Sequence, residues 1–339
     1  MSLTLLASGC SSNKAPAATS VVNTTAAETT AETTAETTKA PEPFKFKRHV
    51  RTDLLSEYVT DDMWDSLDNL IDAVYAGEDS FKCSSEKAFK WCTDDTVIGT
   101  FLPPTCTYVS GGSFENGTGT IKYKMDKDKL KARIETFEKE VERMMNEAIR
   151  TDYSDFEKVM AVYAYMCKNF QYDFSPIDGN TVDEFSDYAC IMTKKGICCE
   201  IAGSYSYLLL QCGVDAMSFG GHGTSGDHDW TYIKLGGKCY HADATWALYG
   251  DNPSGKLILT YFMMTEEERV DGSFEKSIEP SWIWPWKSDF DIKRYPATDT
   301  MFKELHDGCE FISMDTEKNI ITYQDPYGNP VKEFSYGDL

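Results

Sequence analysis

The dipeptide Gly236-Gly237 constrains this chain more than any other feature. It separates two strand-like runs, HDWTYIKL (228–235) and KCYHADAT (238–245). Glycines reach the positive φ values that a two-residue turn needs, so the spacing predicts a β-hairpin. Such a turn fixes the register. Leu235 faces Lys238, Trp230 faces Asp243, and His228 faces Thr245. Facing residues share one side of a sheet, so His228 and Asp243 lie diagonally on the same face, with Cβ atoms about 7–8 Å apart or somewhat less. An imidazole and a carboxylate can close that gap to a hydrogen bond. His241, opposite Tyr232, shares the face but sits further into the hairpin.

Just upstream is GICCEIAGSYSYLLLQCG (196–213), followed by a third strand-like run, VDAMSF. Ile201, Leu208, Leu209 and Cys212 predict a deeply buried helix that opens on Cys198 and Cys199. A thiol at a helix N-terminus feels the positive end of the dipole, which favours the nucleophilic thiolate. Free backbone N–H groups there can receive an oxyanion. Neighbours on a helix point about 100° apart, so only one of the two thiols can face a cleft. A disulfide between adjacent residues is strained, with Cα atoms only about 3.8 Å apart. A metal site built from Cys198, Cys239 and His241 fits no standard spacing. Two buried, inert thiols are the plain alternative. A helix-tip cysteine, then His228, then Asp243 is the order a Cys–His–Asp acyl-transfer site needs. His228 would take and return a proton, and Asp243 would fix its tautomer.

The rest of the chain is organised around this core. DDMWDSLDNLIDAVYAG reads as a helix stopped by Gly77, and residues 80–125 as irregular and β-rich, with a hairpin at Asn116-Gly117. Leu130, Ile134, Phe137, Val141, Met144 and Ala148 mark a long amphipathic helix. Ser154 and Glu157 form a capping box for the next one. CEFISM, NIITYQ and VKEFSY predict a β-rich tail. Helices, a central helix, then antiparallel strands give an α+β class. The expected divisions are 1–10, 11–43, 44–152, 153–300 and 301–339. SWIWPW (281–286) reads as an aromatic strap over the core or a groove lining.

The N-terminus carries a separate signal. LLASGC ends on Cys10 and resembles a lipobox, although it lacks the basic region and the long apolar run of a full signal. Residues 11–43 contain three Ala-Glu-Thr-Thr repeats, cannot bury apolar surface and read as a disordered tether. Those 33 residues reach roughly 110 Å at full extension. The expectation is a protein lipidated on Cys10 and anchored outside the cytoplasm to a bacterial membrane, touching that membrane only through the lipid. The net charge of −22 argues against nucleic acid as a partner. The 11 cysteines include no C-x-x-C, which removes the main support for zinc-ribbon and thioredoxin readings.

KGICCEIA … HDWTYIKLGGKCYHADATW resembles the core signature of the transglutaminase-like superfamily, a branch of the papain-like cysteine enzymes. That signature has Gly-x-Cys at the helix start, His followed by an aromatic one residue on, and Asp-x-Thr on the next strand. The stretch from about Ser154 to Thr265 is similar, YFMMTEEER included. The resemblance implies a papain-like core, a central helix packed on an antiparallel sheet, with a helical N-terminal region and a β-rich tail. It implies Cys198, not Cys199, as nucleophile, with His228 and Asp243 as base and orienting acid, and neither cofactor nor metal. The implied reaction is acyl transfer at a peptide or protein amide, by hydrolysis or by cross-linking to an amine. A non-catalytic binding module on the same fold is the alternative. For the oxyanion, the Cys198 N–H is one expected donor. Tyr188, just upstream, is a candidate for the second. Trp230 either walls the cleft or packs the sheet. Cys199 and Asp229 depart from the usual pattern, which leaves substrate choice open.

Overall fold

The hairpin turns where the glycines stand. Gly236 and Gly237 hold φ of 56° and 77°, and Leu235 pairs with Lys238. In this computed structural model, residues 41–174, 186–223, 226–250, 255–270, 274–280 and 296–339 are described. Cys10, the repeat tract through residue 40 and the SWIWPW run lie outside them. Among the described residues, no helix is long and apolar enough to cross a membrane.

The N-terminal region begins with α1 (Asp61–Ala76), which buries Met63, Trp64, Leu67, Leu70, Ile71 and Val74. Gly77, at φ 69°, ends it, as its amide and that of Glu78 turn back onto Val74 and Ala73. Strands β1 (Ser80–Lys82), β2 (Val109–Glu115) and β3 (Thr118–Tyr123) form a small sheet in the order β1-β3-β2. Residues 80–125 are less β-rich than their composition suggests, because two seven-residue helices intervene: α2 (Glu86–Cys92) and α3 (Asp95–Phe101). Each is too short to print a helical period. Each is started by a cap, Ser85 accepting from Ala88 N–H and Asp94 from Thr96 N–H. Trp64 meets Trp91 and Phe101 edge-on, both at 5.1 Å, which locks these helices to α1.

α4 (Lys127–Ala148) and α5 (Asp155–Asn169) follow, the second started by the reciprocal Ser154–Glu157 box. β4 (Gln171–Tyr172) pairs in parallel with β5 (Lys195–Gly196), which lies between α6 (Asp187–Thr193) and α7 (Cys198–Gln211). Every residue of α7 from Glu200 to Gln211 is buried. One side packs on α5, where Tyr205 donates to the Val159 carbonyl at 2.9 Å. The other side lies on the sheet, where the Thr231 hydroxyl donates to the Ala202 carbonyl at 3.1 Å. That antiparallel sheet has the order β8-β7-β6-β9, from β6 (Asp215–Gly223), β7 (Gly226–Leu235), β8 (Lys238–Ala242) and β9 (Phe274–Pro280).

A short helix, α8 (Glu266–Val270), precedes β9. The tail is a three-stranded sheet of β10 (Glu310–Asp315), β11 (Ile320–Gln324) and β12 (Lys332–Ser335). It is keyed into the core by Tyr336. That ring stacks on Phe156 at 4.5 Å, and its hydroxyl donates to Glu157 at 2.7 Å. The class is α+β, a buried helix on an antiparallel sheet.

Candidate active site

The site forms at the tip of α7. Its N-cap is Ile197, whose side chain can accept nothing, while the Ile197 amide itself donates to Glu200 at 2.9 Å. The first-turn N–H groups therefore have no side-chain cap from their own helix. Close packing fixes the approach. A Cβ on Gly196 would meet Cys190 Sγ and Glu200 Cβ at 3.0 Å, and one on Gly203 would lie 2.2 Å from an Asp187 carboxyl oxygen.

Across from the tip, His228 Nε2 bonds Asp243 Oδ2 at 2.7 Å. The register is the expected one, Thr231 pairing with Ala242, but the β8 ladder ends there. Thr245 instead opens a short 3-10 turn, and the Trp246 amide within it donates to Asp243 Oδ1 at 3.2 Å. The turn that follows the strand, as well as the register, thus aims the carboxylate. The other ring nitrogen, Nδ1, remains for Cys198, and the thiol and the imidazole shift one another, the thiol down and the ring up. His228 stacks on Trp246, centroids 4.9 Å apart.

The electrostatics favour an ion pair. Hydrogen bonds to the Cys198 sulfur from the Cys199 thiol, then from His228 and the Asp229 amide, outweigh burial and bring the Cys198 thiol down to about 4. Burial pulls the His228 imidazole down, but the Asp243 charge and hydrogen bond, with Cys198, lift it to about 9. Asp243 is fully buried, yet His228 and Arg269 hold its carboxyl below the ordinary range. His241 is different: burial, then the Arg269 charge, push it down to about 3, and its Nδ1 accepts from Trp230 Nε1 at 2.8 Å. It is a neutral core histidine. His306 is less peripheral than its position in the chain suggests. It contacts the Phe262 carbonyl at 2.6 Å and Glu268 at 3.0 Å, away from the Cys198 tip.

Cys198, His228 and Asp243 are thus brought together, whereas the two auxiliary candidates are placed elsewhere. Tyr188, on α6, stacks on Phe137 at 5.7 Å and lies 3.4 Å beneath the Arg133 guanidinium, a packing role towards α4. The tyrosine whose titration is tied to Cys198 is Tyr172 of β4. Its hydroxyl is pushed up by burial first and then by the Cys198 thiolate charge. Trp230 is 1% exposed and packs within the sheet, its face under Arg269 at 3.9 Å, so it is no cleft wall. Cys199 is not a core thiol. It is partly exposed, and its S–H lies 3.1 Å from Glu200 Oε1 as well as beside Cys198. Sequence reasoning missed Tyr172, Trp246 and Arg269. Two of them stood in quoted motifs, Trp246 closing HADATW and Arg269 closing YFMMTEEER. Among the described residues, no group of three or more potential ligands could hold a metal ion.

Residues 142–246 match the family model described as the transglutaminase-like superfamily. The human protein kyphoscoliosis peptidase is 25% identical over 118 residues, 31% of this chain but 18% of that protein. The mouse protein of the same name is 25% identical over 115 residues, 30% of this chain and 17% of its own length. The chain therefore spans under a fifth of either relative. Two solved structures align at 17% identity and a TM-score of 0.27, each covering 40% of this chain. One is a Cytophaga hutchinsonii protein assigned as a cysteine protease, of which 61% is covered. The other is a TGase, of which 43% is covered.

Proposed function

We propose, from the premise that residues 142–246 are a transglutaminase-like core, that this protein performs acyl transfer at peptide or protein amides through a thioester on Cys198. The observation that carries the reading is the His228–Asp243 hydrogen bond at 2.7 Å, on an imidazole whose charge lowers the Cys198 thiol. The Cys198 thiolate attacks the amide carbonyl. The developing oxyanion is met by the Cys198 N–H at the helix tip, with the Tyr172 hydroxyl, whose titration is tied to Cys198, as the second donor. The imidazolium of His228 gives its proton to the leaving amine as the C–N bond breaks, and a thioester remains. His228, now neutral, takes a proton from water, whose oxygen displaces the thiolate and releases the acid. Asp243 keeps the imidazole oriented through both steps. An amine in place of water would give a cross-link. Hydrolysis is the favoured outcome for a surface-anchored protein.

The test is a peptide-library cleavage screen run beside an amine-incorporation screen, with Cys198→Ala and Cys199→Ala as controls. Turnover lost in C198A and kept in C199A is the expected result. A wild type inert in both screens, with a Cys198 that reacts only as an ordinary thiol, would make the protein a binding module on this fold.

The anchoring is a second part of the same proposal. LLASGC followed by a long polar tract supports a lipid on Cys10 and an extracytoplasmic, membrane-tethered location in a bacterium. Mass spectrometry of the full-length protein from membranes should show a diacyl or triacyl modification at Cys10. An unmodified cysteine there would refute it.

A further inference from the structure

Asp243 has a second cation. Arg269, on α8, is 2% exposed, and its Nη2 stands 3.4 Å from Asp243 Oδ2, the same oxygen that takes His228. The guanidinium is held over the rings of Trp230, at 3.9 Å, and Trp246, at 5.0 Å. This residue lies 23 positions beyond the end of the family match. We propose that Arg269 is a positioning residue for Asp243: its fixed charge keeps the carboxylate ionised while His228 is neutral, so that His228 is free to act as base during thioester hydrolysis. The proposal rests on the reading of Cys198, His228 and Asp243 as the reacting set.

The need arises from burial. A carboxylate with no exposure must be compensated where it stands. In the resting ion pair, imidazolium does this. Once His228 has given its proton away, the thioester is uncharged and that compensation is gone. The Trp246 amide alone would then face the carboxylate, and the His228–Asp243 pair would recapture a proton. Arg269 cannot lose its charge in a protein. It therefore stabilises the state with neutral His228 and ionised Asp243, and lowers the proton affinity of the pair as a whole. The other titratable groups turned towards Asp243 are Tyr163 and Cys167 of α5 and Tyr261, whose backbone carbonyl takes the Asp243 amide. Burial raises all three, so they stay neutral. His241, turned towards Arg269, is held neutral as well. The two indoles fix the plane of the guanidinium, which a lysine ammonium could not match, although a lysine would keep the charge.

p-Nitrophenyl acetate separates the steps, because its leaving group needs no proton. The burst of nitrophenolate reports attack by Cys198, and the steady state reports hydrolysis of the acetyl thioester. Arg269→Gln should keep the burst, lower the steady-state rate at pH 7 by about tenfold and move the acid limb of that rate up by about one pH unit. Arg269→Lys should leave the limb near its wild-type position. In an Asp243→Asn background, R269Q should no longer move the limb. An R269Q protein that loses burst and steady state alike with its limb unmoved, or an equal limb shift in the D243N background, overturns the proposal. Should R269Q fail to fold by near-ultraviolet circular dichroism, R269K decides: a limb at the wild-type position supports fixed charge, and a limb moved up overturns it. Absence of a wild-type burst, or a burst surviving in C198A, overturns the nucleophile reading itself and the proposal with it.

Discussion

Replacing Cys199 with alanine tests the electrostatics of the helix tip most directly. The Cys199 thiol stands first among the influences that lower the Cys198 thiol, ahead of His228 and the Asp229 amide, with its one S–H shared with Glu200 Oε1 at 3.1 Å. A hydrogen bond to a charged acceptor contributes about 1.5–3 kcal/mol, and a thiol is a weak donor, so the lower end applies. At about 1.4 kcal/mol per pH unit, C199A should raise the Cys198 thiol by about one unit, from about 4 to about 5. The assay is thiol–disulfide exchange with dithiodipyridine from pH 4 to 9, taking the phase absent from C198A. Absolute rate is a poor reporter. An ordinary thiol of 9.0 is about 0.1% ionised at pH 6, but a thiolate loses nucleophilicity with a Brønsted slope of about 0.4–0.5 as its pKa falls, which over five units is about 2–2.5 log units and cancels most of the roughly thousandfold gain in ionisation at that pH. The shape is diagnostic. Wild-type reactivity should be level from about pH 5 until His228 loses its proton near 9. C199A should start later and run about threefold faster on its plateau, because the thiolate it exposes is more basic. A wild-type rate that climbs tenfold per pH unit between 6 and 8 would refute the ion pair. An unmoved limb in C199A would refute the role given to Cys199.

His228→Ala removes a hydrogen bond and the cationic partner of Cys198, so the reactivity limb should move up by about one to two units; an unmoved limb would mean that the imidazole does not reach the sulfur. Gly203→Ala, at a buried position of α7, puts a Cβ 2.2 Å from an Asp187 carboxyl oxygen, so it should cost about 1–3 kcal/mol in urea unfolding, and a change within error would mean that α6 can shift away. Tyr336→Phe deletes the hydroxyl that donates to Glu157 at 2.7 Å, and should cost about 1.5–3 kcal/mol; a neutral result would show that the tail is not keyed into α5 through this bond.

What could be read from the chain and what could not divide along a physical line. The hairpin register was legible because Gly236 and Gly237 leave a tight turn with few alternatives, and a one-residue slip would turn every side chain to the other face. The inequality of the two thiols was legible because helix geometry is fixed by the backbone alone. The groups around these side chains were not, since each reaches the site from a different element. Tyr172 comes from a two-residue strand 26 positions before Cys198, and Arg269 from a helix 26 positions after Asp243. Neither separation follows from a local period. Tyr188 shows the converse error. It lies ten residues from Cys198 in the chain, but α6 turns its ring towards Phe137 and Arg133 of α4. Proximity along the chain is a good guide within one turn of helix or one hairpin, where the backbone dictates direction. Beyond that, packing decides. The conspicuous aromatics then sort by burial and partner: Trp230 carries Arg269 inside the sheet, and Trp246 carries both His228 and Arg269. The three candidate side chains, Cys198, His228 and Asp243, could therefore be named from motif and register, while the groups that set their charge states required the fold.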